Sequence, residues 1–573
     1  MAFNGLITYA ICKELQNSLV GGKIDKIYEP NSNEIILGVY HHNTKYALDI
    51  VVSPTNYRMC LTTSSKPNPT FAPSFCMLLR KYLIGTKINK IETIGLERLV
   101  IIELDGYSKS QDFTPKKLII ELMGKHSNII LTDHNNIIID ALKHFDTNSN
   151  SYRNIFPGAQ YTLPISHKMD FFSIQNKDNF HQTLLDHQLE NSLSLSDIMA
   201  NTFIGFDKPT ILAYCHLLNI EDMISKNSCD IFYEYIISLL QGIEFQTVCT
   251  LTKKGYYLTI SPSKENLQIN FFVDDYYTKK EKDENFISYR NNLSRLILNQ
   301  LKKLNQKLFY INQKIEECKN LDTYRIYGEL ITNNLYRISD YHQDMITLEN
   351  YYENNQPITI PLDKSLTPSS NAKKYFKKYH KLKNANEIVT IQKHEIEQEI
   401  NYIESIVYEL STATTINDID TIYHEITENA DIKKESNKKN KKIRREKKKI
   451  STEKIGEPLY YEIDHFVVVV GKNNKQNDSI TKHASPEDIW FHTKDIHGSH
   501  VILKTNKKQP SQETINQCAA LAAYYSKANQ TSNVSVDYTF IKFVKKPSGA
   551  KPGMVTYTNY KNVIVKPSCE FNS

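Results

Sequence analysis

The sequence predicts a multidomain α+β protein, and three observations predict it. The chain has 573 residues, more than one hydrophobic core usually serves. Short apolar runs of strand length fill its first and last parts, and two stretches with heptad-spaced apolar residues lie between them. In chain order, residues 1–170 alternate strand-like segments, including Glu34-Ile-Ile-Leu-Gly-Val-Tyr40, Leu99-Val-Ile-Ile-Glu-Leu104 and Leu118-Ile-Ile-Glu-Leu122, with short turns. That pattern is a mainly β domain with helices. Residues 171–275 read as helical, and Phe203-Ile-Gly-Phe-Asp-Lys-Pro209 sets a glycine turn between two helical segments. Such a turn can aim N–H groups at a phosphate, but a plain helix corner is the commoner use of one glycine.

Residues 276–430 carry Ile297, Leu301, Leu304, Leu308, Ile311 and Ile315, then Ile396, Ile400, Ile403, Val407 and Leu410. The alternating four- and three-residue steps are the seam of a coiled coil. Two such stretches either side of Tyr324 to Leu382 predict an antiparallel arm with a tip or small helical knob between them, reaching on the order of 50 Å. An intermolecular coiled coil, giving a homodimer, satisfies the same spacing. Residues 431–450 are a basic linker, built around Lys433-Lys-Glu-Ser-Asn-Lys-Lys-Asn-Lys-Lys-Ile-Arg-Arg-Glu-Lys-Lys-Lys449, able to track a phosphate backbone. Residues 451–573 combine strands at Pro458 to Ile463, Phe466 to Val470 and Val534 to Val544 with an Ala-rich helix over Ser511 to Lys527, a compact α+β domain.

Composition narrows the function classes. Lys+Arg of 70 against Asp+Glu of 64 leaves a net charge of +6, so a polyanion site must come from local clustering. Nine scattered cysteines without a Cys-x-x-Cys pair argue against a zinc ribbon or a disulfide framework, and favour a reducing cytoplasm. The first residues lack a basic leader, and Lys13 and Glu14 interrupt the apolar stretch, so no secretion signal is expected. Apolar runs fall short of the ~20 residues of a membrane helix. Val20-Gly-Gly-Lys23 lacks the earlier glycine of a phosphate loop, and Ile24 stands where a metal-binding hydroxyl belongs. With no nucleophile elbow and no His-Glu-x-x-His helix, the reading is not an enzyme, with no cofactor and no metal.

The densest chemistry lies in Asp488-Ile-Trp-Phe-His-Thr-Lys-Asp-Ile-His-Gly-Ser-His500 and Lys545-Lys-Pro-Ser-Gly-Ala-Lys-Pro-Gly553. Trp490, the only tryptophan, with His492, Lys494 and His500, mixes rings that stack on bases with groups that bind phosphate; Lys545, Lys546 and Lys551 add cations. Core packing of Trp490 and Phe491 in a hairpin is an equal reading.

These tracts, with Gly471-Lys-Asn-Asn-Lys-Gln-Asn-Asp478, resemble the C-terminal NFACT-R domain of the RqcH/NEMF family. Ala2-Phe-Asn-Gly-Leu6, Val20 to Tyr28, Phe75-Cys-Met-Leu-Leu-Arg-Lys81 and Glu121-Leu-Met-Gly-Lys-His-Ser-Asn-Ile-Ile-Leu131 resemble its N-terminal domain, NFACT-N. Tyr324-Arg-Ile-Tyr-Gly-Glu-Leu330 and Asn371 to Lys383 resemble its middle region. The pattern is that of the bacterial members, historically labelled fibronectin-binding proteins. The resemblance implies an N-domain like that of formamidopyrimidine-DNA glycosylases, with Ala2 where those enzymes carry a proline nucleophile, then a helix-hairpin-helix, a coiled-coil arm and NFACT-R.

It further implies a cytoplasmic quality-control factor that binds the large (50S) ribosomal subunit carrying stalled peptidyl-tRNA. The factor recruits tRNA, tRNA-Ala in the bacterial members, for alanine tailing without mRNA; a small S4-like RNA-binding accessory factor of the RqcP type is an implied partner. Glu97 and Arg98, in Ile94-Gly-Leu-Glu-Arg-Leu-Val100, stand where the family carries an Asp-Arg pair required for tRNA binding, and Lys125 and His126 fall in another matched N-domain motif. Without the resemblance, Glu97 and Arg98 read as a surface pair of little energetic worth. A fibronectin-binding surface adhesin is the alternative function, and a DNA glycosylase a third, disfavoured by Ala2.

Overall fold

The computed structural model describes residues 3–106, 115–145, 153–164, 166–187, 194–243, 247–252, 255–261, 268–338, 343–428 and 456–570. The basic linker lies outside them. The chain divides into two compact units, Met1–Lys282 and Asp283–Ser573.

The first unit opens with α1 (Gly5–Leu19), whose N-cap Asn4 accepts from the Ile7 N–H, as a capping side chain should. Nine antiparallel strands follow: β1 (Lys23–Asn31), β2 (Glu34–His41), β3 (Thr44–Val51), β4 (Arg58–Leu61), then, after α2 (Ser74–Leu83), β5 (Lys87–Thr93), β6 (Leu99–Asp105), β7 (Lys116–Glu121), β8 (Asn128–Asp133) and β9 (Ile138–Ala141). Their spatial order is β4-β3-β2-β1-β5-β6-β7-β8-β9, two meanders joined where Lys23 pairs with Lys87. Alternate residues of β1 and β5 point to opposite faces, and Leu6, Ile11 and Leu15 of α1 share one core with Ile24, Ile27, Ile88 and Ile91. A smaller cluster of Leu99, Ile119 and Ile130 with Ile155 and Tyr161 encloses the buried Glu121, which Arg153 clamps with two bonds of 2.8 and 2.9 Å.

Helices α3 (Lys177–Asp186), α4 (Leu195–Thr202), α5 (Lys208–Leu218) and α6 (Lys226–Gly242) pack through Phe171, Phe180, Phe203 and Phe232. Residues 171–275 are not all helical: β10 (Thr247–Thr252) and β11 (Gly255–Ile260) form an antiparallel hairpin. Its β-branched and aromatic run, Thr247-Val-Cys-Thr and Tyr256-Tyr-Leu-Thr-Ile, favours strand over helix.

Helix α7 (Ile269–Cys318) begins inside the first unit and continues into the second. Its Leu293, Ile297 and Leu304 share a core with Ile400, Ile403, Ile406 and Leu410 of α9 (Pro368–Thr412). Between them, α8 (Leu321–Asn333) packs Leu330 and Ile331 on Ala372 at the start of α9, so α7 and α9 run antiparallel as the seam predicts. The tip is more than a helical knob, because β12 (Met345–Asn350) and β13 (Gln356–Pro361) add a hairpin. Helix α10 (Ile416–Glu428) closes the base of the arm through Ile419 and Ile422.

The C-terminal sheet has the order β14-β15-β17-β16-β18-β21, all antiparallel. Its strands are β14 (Leu459–Ile463), β15 (Phe466–Val470), β16 (Ile489–Thr493), β17 (Val501–Lys504), β18 (Val534–Phe540) and β21 (Lys561–Val565), with a short ladder of β19 (Val544–Lys545) and β20 (Thr556–Tyr557) beside it. Helix α11 (Asn474–His483) precedes β16, and α12 (Gln512–Tyr524) buries Cys518, Leu521 and Ala522 against Ile489, Phe491 and Val536.

Candidate nucleic-acid interface

Glu97 and Arg98 end the turn between β5 and β6. The Glu97 N–H donates to the Ile94 carbonyl at 3.0 Å, and Gly95 takes a φ of +54°, which glycine adopts without steric cost. The turn is pressed from behind. A Cβ on Gly5 would lie 1.9 Å from the Leu96 carbonyl oxygen and 2.4 Å from the Gly205 Cα. Gly5 N–H donates to the Gly205 carbonyl at 3.1 Å, and Asn4 Nδ2 donates to Thr210 Oγ1 at 3.0 Å. The start of α1, the Leu96 turn and the 203–207 corner therefore close on one point that side chains larger than hydrogen would force apart.

Arg98 is half-buried. One N–H of its guanidinium donates to the Tyr57 hydroxyl at 3.1 Å, and its Cζ lies 5.8 Å from that ring's centre. The Leu122 N–H donates to the Arg98 carbonyl at 2.8 Å, which brings the next turn, Gly124–His126, to the same end of the sheet. Gly124 has a φ of +63°, and a Cβ on it would meet the Tyr57 ring at 3.9 Å and the Pro54 carbonyl at 3.6 Å. Lys125 and His126 are exposed on this turn. Beneath it, Lys143 Nζ donates to the carbonyls of Val52 and Ser127 at 2.6 and 3.0 Å, and burial pulls its ammonium below the usual lysine range. The structure thus brings Arg98, Lys125 and His126 to one sheet end, with Glu97 beside them. Tyr57 and Lys143, which organise that end, were not legible in the sequence: each lies tens of residues from its partners, and no spacing links them.

The C-terminal candidates divide differently. Trp490 is 1% exposed and His500 2%. The Trp490 ring stacks on His492, with centroids 5.6 Å apart and planes at 12°, and meets His500 and Tyr557 at 5.2 and 4.9 Å. Burial pushes the His492 imidazole down to about 4 and the His500 imidazole down to about 3, so both rings are neutral at physiological pH. His500 is further fixed by Thr481, whose Oγ1 lies 2.9 Å from its Nδ1. The rings expected to face RNA thus form a packed cluster on the sheet face away from α12, with no open ring face on Trp490 or His500.

The cations stand outside that cluster. Lys494 is exposed where β16 ends, and its N–H donates to the Ser535 carbonyl at 2.9 Å. Lys545 is exposed on β19. Lys546 pairs with Asp478 of α11, and Lys551 Nζ lies 4.5 Å from the centre of the Tyr402 ring on the arm helix. That contact joins a wider one: Asn474 Nδ2 donates to Ser405 Oγ and Glu425 Oε1 at 3.1 and 3.2 Å, where burial holds the carboxyls of Glu409 and Glu425 above the usual range, and the charge of Glu425 adds to the rise at Glu409. Among the described residues no group of three or more His, Cys, Asp or Glu is arranged to hold a metal, and no helix is long and apolar enough to cross a membrane.

Comparison with known proteins places these surfaces in a lineage. Residues 4–445 match the NFACT N-terminal and middle domains, and residues 459–559 match the NFACT protein RNA binding domain. The chain is 34% identical to Rqc2 homolog RqcH of Bacillus subtilis, covering 100% of this chain and 99% of that protein. It is 33% identical to Rqc2 homolog RqcH of Streptococcus pneumoniae, covering 99% and 98%. A solved structure titled as the C-terminal of the fibronectin/fibrinogen-binding protein from Streptococcus suis aligns at 32% identity with a TM-score of 0.38, covering 50% of this chain and 96% of that one. Matched from end to end, with both family domains in order, the chain belongs to the RqcH (Rqc2 homolog) family of NFACT proteins.

Proposed function

We propose that this protein is a cytoplasmic ribosome-associated quality-control factor. It binds large (50S) subunits obstructed by peptidyl-tRNA and recruits tRNA, foremost tRNA-Ala, so that the stalled chain receives a C-terminal alanine tail without mRNA. The observation that carries this reading is the end-to-end match to the RqcH proteins. Peptidyl transfer belongs to ribosomal RNA in this scheme, and the protein supplies position, converting an encounter between two tRNAs into a held geometry. The N-domain, on a glycosylase-like scaffold, and the 203–207 corner take the tRNA. The arm reaches along the subunit, NFACT-R lies near RNA, and a small S4-like factor of the RqcP type assists.

The chemistry at the sheet end supports the assignment. A guanidinium has five N–H donors in a planar fork; Tyr57 takes one and orients the rest. Such a fork binds a phosphate or the guanine edge through paired bonds, and Glu97 can accept from a base amino group. Lys125 and His126 give this end further cationic reach.

Arg98→Ala should weaken tRNA binding by about 1.5–3 kcal/mol, roughly 10- to 150-fold. Tail synthesis should stop while large-subunit binding persists. Glu97→Asp should be tolerated and Glu97→Ala should not. Each variant is expressed with a non-stop reporter in cells lacking the native protein, and C-terminal extensions are read by mass spectrometry. Alanine tails of normal length from Arg98→Ala would overturn the assignment of this site.

A further inference from the structure

Helix α7 turns one face to the seam with α9, and the flank beside that face has its own pattern. Leu298, Lys302, Asn305 and Phe309 follow at steps of four, three and four, which places them in one stripe along the flank of the seam formed by Ile297, Leu304 and Ile311. Together with Leu301, Gln306 and Tyr310 they line an open groove of about 640 Å³. The outward face of a two-helix arm is ordinarily polar. Here Phe309 is 60% exposed and Tyr310 63%, and their rings stand 5.9 Å apart at 68°, a corner with open aromatic faces.

Charge says what covers this stripe. Between Glu284 and Glu316 the helix carries Arg290, Arg295, Lys302, Lys303, Lys307 and Lys314 and no carboxylate. Arg295 and Lys302 are exposed, and helical spacing puts both on the outward face. The acids at this level of the arm, Glu395, Glu397, Glu399 and Glu404, belong to α9 across the seam; Glu397 lies 3.8 Å from Lys393 of its own helix, and Glu404 lies 3.5 Å from His497 Nε2. A second copy docking here about a twofold axis would set these cations against themselves. A polyanion with flat apolar faces meets both features at once, because bases stack on exposed aromatic rings while cations take the adjoining phosphates.

We propose that this groove is a binding site for unpaired nucleotides of RNA, with Phe309 and Tyr310 stacking a base and Arg295 and Lys302 on the flanking phosphates. The site rests on the function proposed above only for its natural ligand, the RNA of the large subunit. The test places the photo-cross-linker p-benzoylphenylalanine at position 305 of the full chain and irradiates it with labelled oligouridine, then with purified large subunits. Oligouridine should cross-link. The concentration giving half-maximal labelling should rise about 5- to 150-fold when Phe309→Ala and Tyr310→Ala are combined, with an unchanged melting curve because both rings are exposed. Lys302→Ala should flatten the salt dependence by about 0.7 in log–log slope. No oligouridine cross-link, a midpoint unmoved by the double change, or a cross-link only to ribosomal protein in the subunit would each overturn the site. Those results with tail synthesis intact would remove the groove and leave the tailing function standing; no tails from the unaltered chain while the groove still cross-links would do the reverse.

Discussion

The Arg98 turn and the Trp490 cluster are both candidate RNA contacts, yet they are built in opposite ways. At Arg98 the backbone is held by close contacts at Gly5 and Gly205, while the side chain stays half-open with a single tyrosine hydroxyl to orient it. At Trp490 the side chains themselves are the packing, and Trp490 and His500 are closed to solvent. The difference teaches that a conspicuous cluster of rings is as much a core signature as a recognition signature. A cation at the end of a strand is cheap to change and free to bind, so the first site should separate binding from stability and the second should tie them together.

The sharpest way to break that comparison is Trp490→Ala. Removing a fully buried tryptophan should cost about 3–5 kcal/mol, and RNA binding by the C-terminal unit should fall only as that unit unfolds. Trp490→Phe should cost much less. The indole Nε1 has no hydrogen-bond partner among the described residues, so the phenyl ring keeps most of the apolar burial and removes an unsatisfied donor. Hydrogen exchange across β16 to β18 reads both variants. A stable Trp490→Ala protein that no longer binds RNA would make the cluster a direct contact and erase the contrast.

A smaller effect comes from pH. The folded values of His492 and His500, about 4 and about 3, lie below the ordinary 6.5, so folding favours the neutral rings. Their stabilising contribution is complete above 6.5 and drains as pH falls through 6.5 towards the folded values. From pH 7 to pH 5 the loss is up to about 2 kcal/mol for each ring, with His500, the more buried, nearer that limit. The Glu409–Glu425 pair has raised values and acts in the other direction, losing its contribution as pH rises above the ordinary carboxylate range. His500→Gln isolates the histidine part. As the only tryptophan, Trp490 reports this domain alone in urea titrations by intrinsic fluorescence. A midpoint whose shift between pH 7 and pH 5 is the same with and without His500 would remove the ring from the account.

The order of strand-rich and helical regions was legible because each carries its own pattern: apolar runs of strand length in β6, β7 and β15, the four-three seam in α7 and α9, and alternation in β18. The β10–β11 and β12–β13 hairpins were missed because each is a short run inside a longer helical stretch, where helical neighbours dominate any window. At the candidate site the sequence marked Glu97, Arg98, Lys125 and His126 through their motifs, and the structure adds that the last three share one sheet end. The contacts that hold them, Tyr57 to Arg98 and Gly5 to Leu96, join residues too far apart in sequence for any periodicity to record. Trp490 illustrates the converse limit. Composition names the ring and its neighbours, but which face of β16 it occupies follows from pairing Trp490 with Ile502 and Thr539.

The smallest stability effect is the one that sharpens the comparison most. Lys494 is exposed beyond the end of β16, in a turn where Asp495 takes a φ of +56°; its backbone N–H holds the turn to Ser535, and that bond does not involve the side chain. Lys494→Ala should therefore change the unfolding free energy by no more than about 0.5 kcal/mol, the usual range for a surface substitution. If its ammonium meets a phosphate, large-subunit binding should weaken and its log–log salt dependence should drop by roughly 0.7 to 0.9. Co-sedimentation with purified large subunits over a salt series measures both quantities, with the fluorescence midpoint of Trp490 as the folding control. An unchanged slope with an unchanged midpoint would remove Lys494 from the interface and leave Lys545 as the exposed cation to test next, since Lys546 and Lys551 are already engaged by Asp478 and Tyr402.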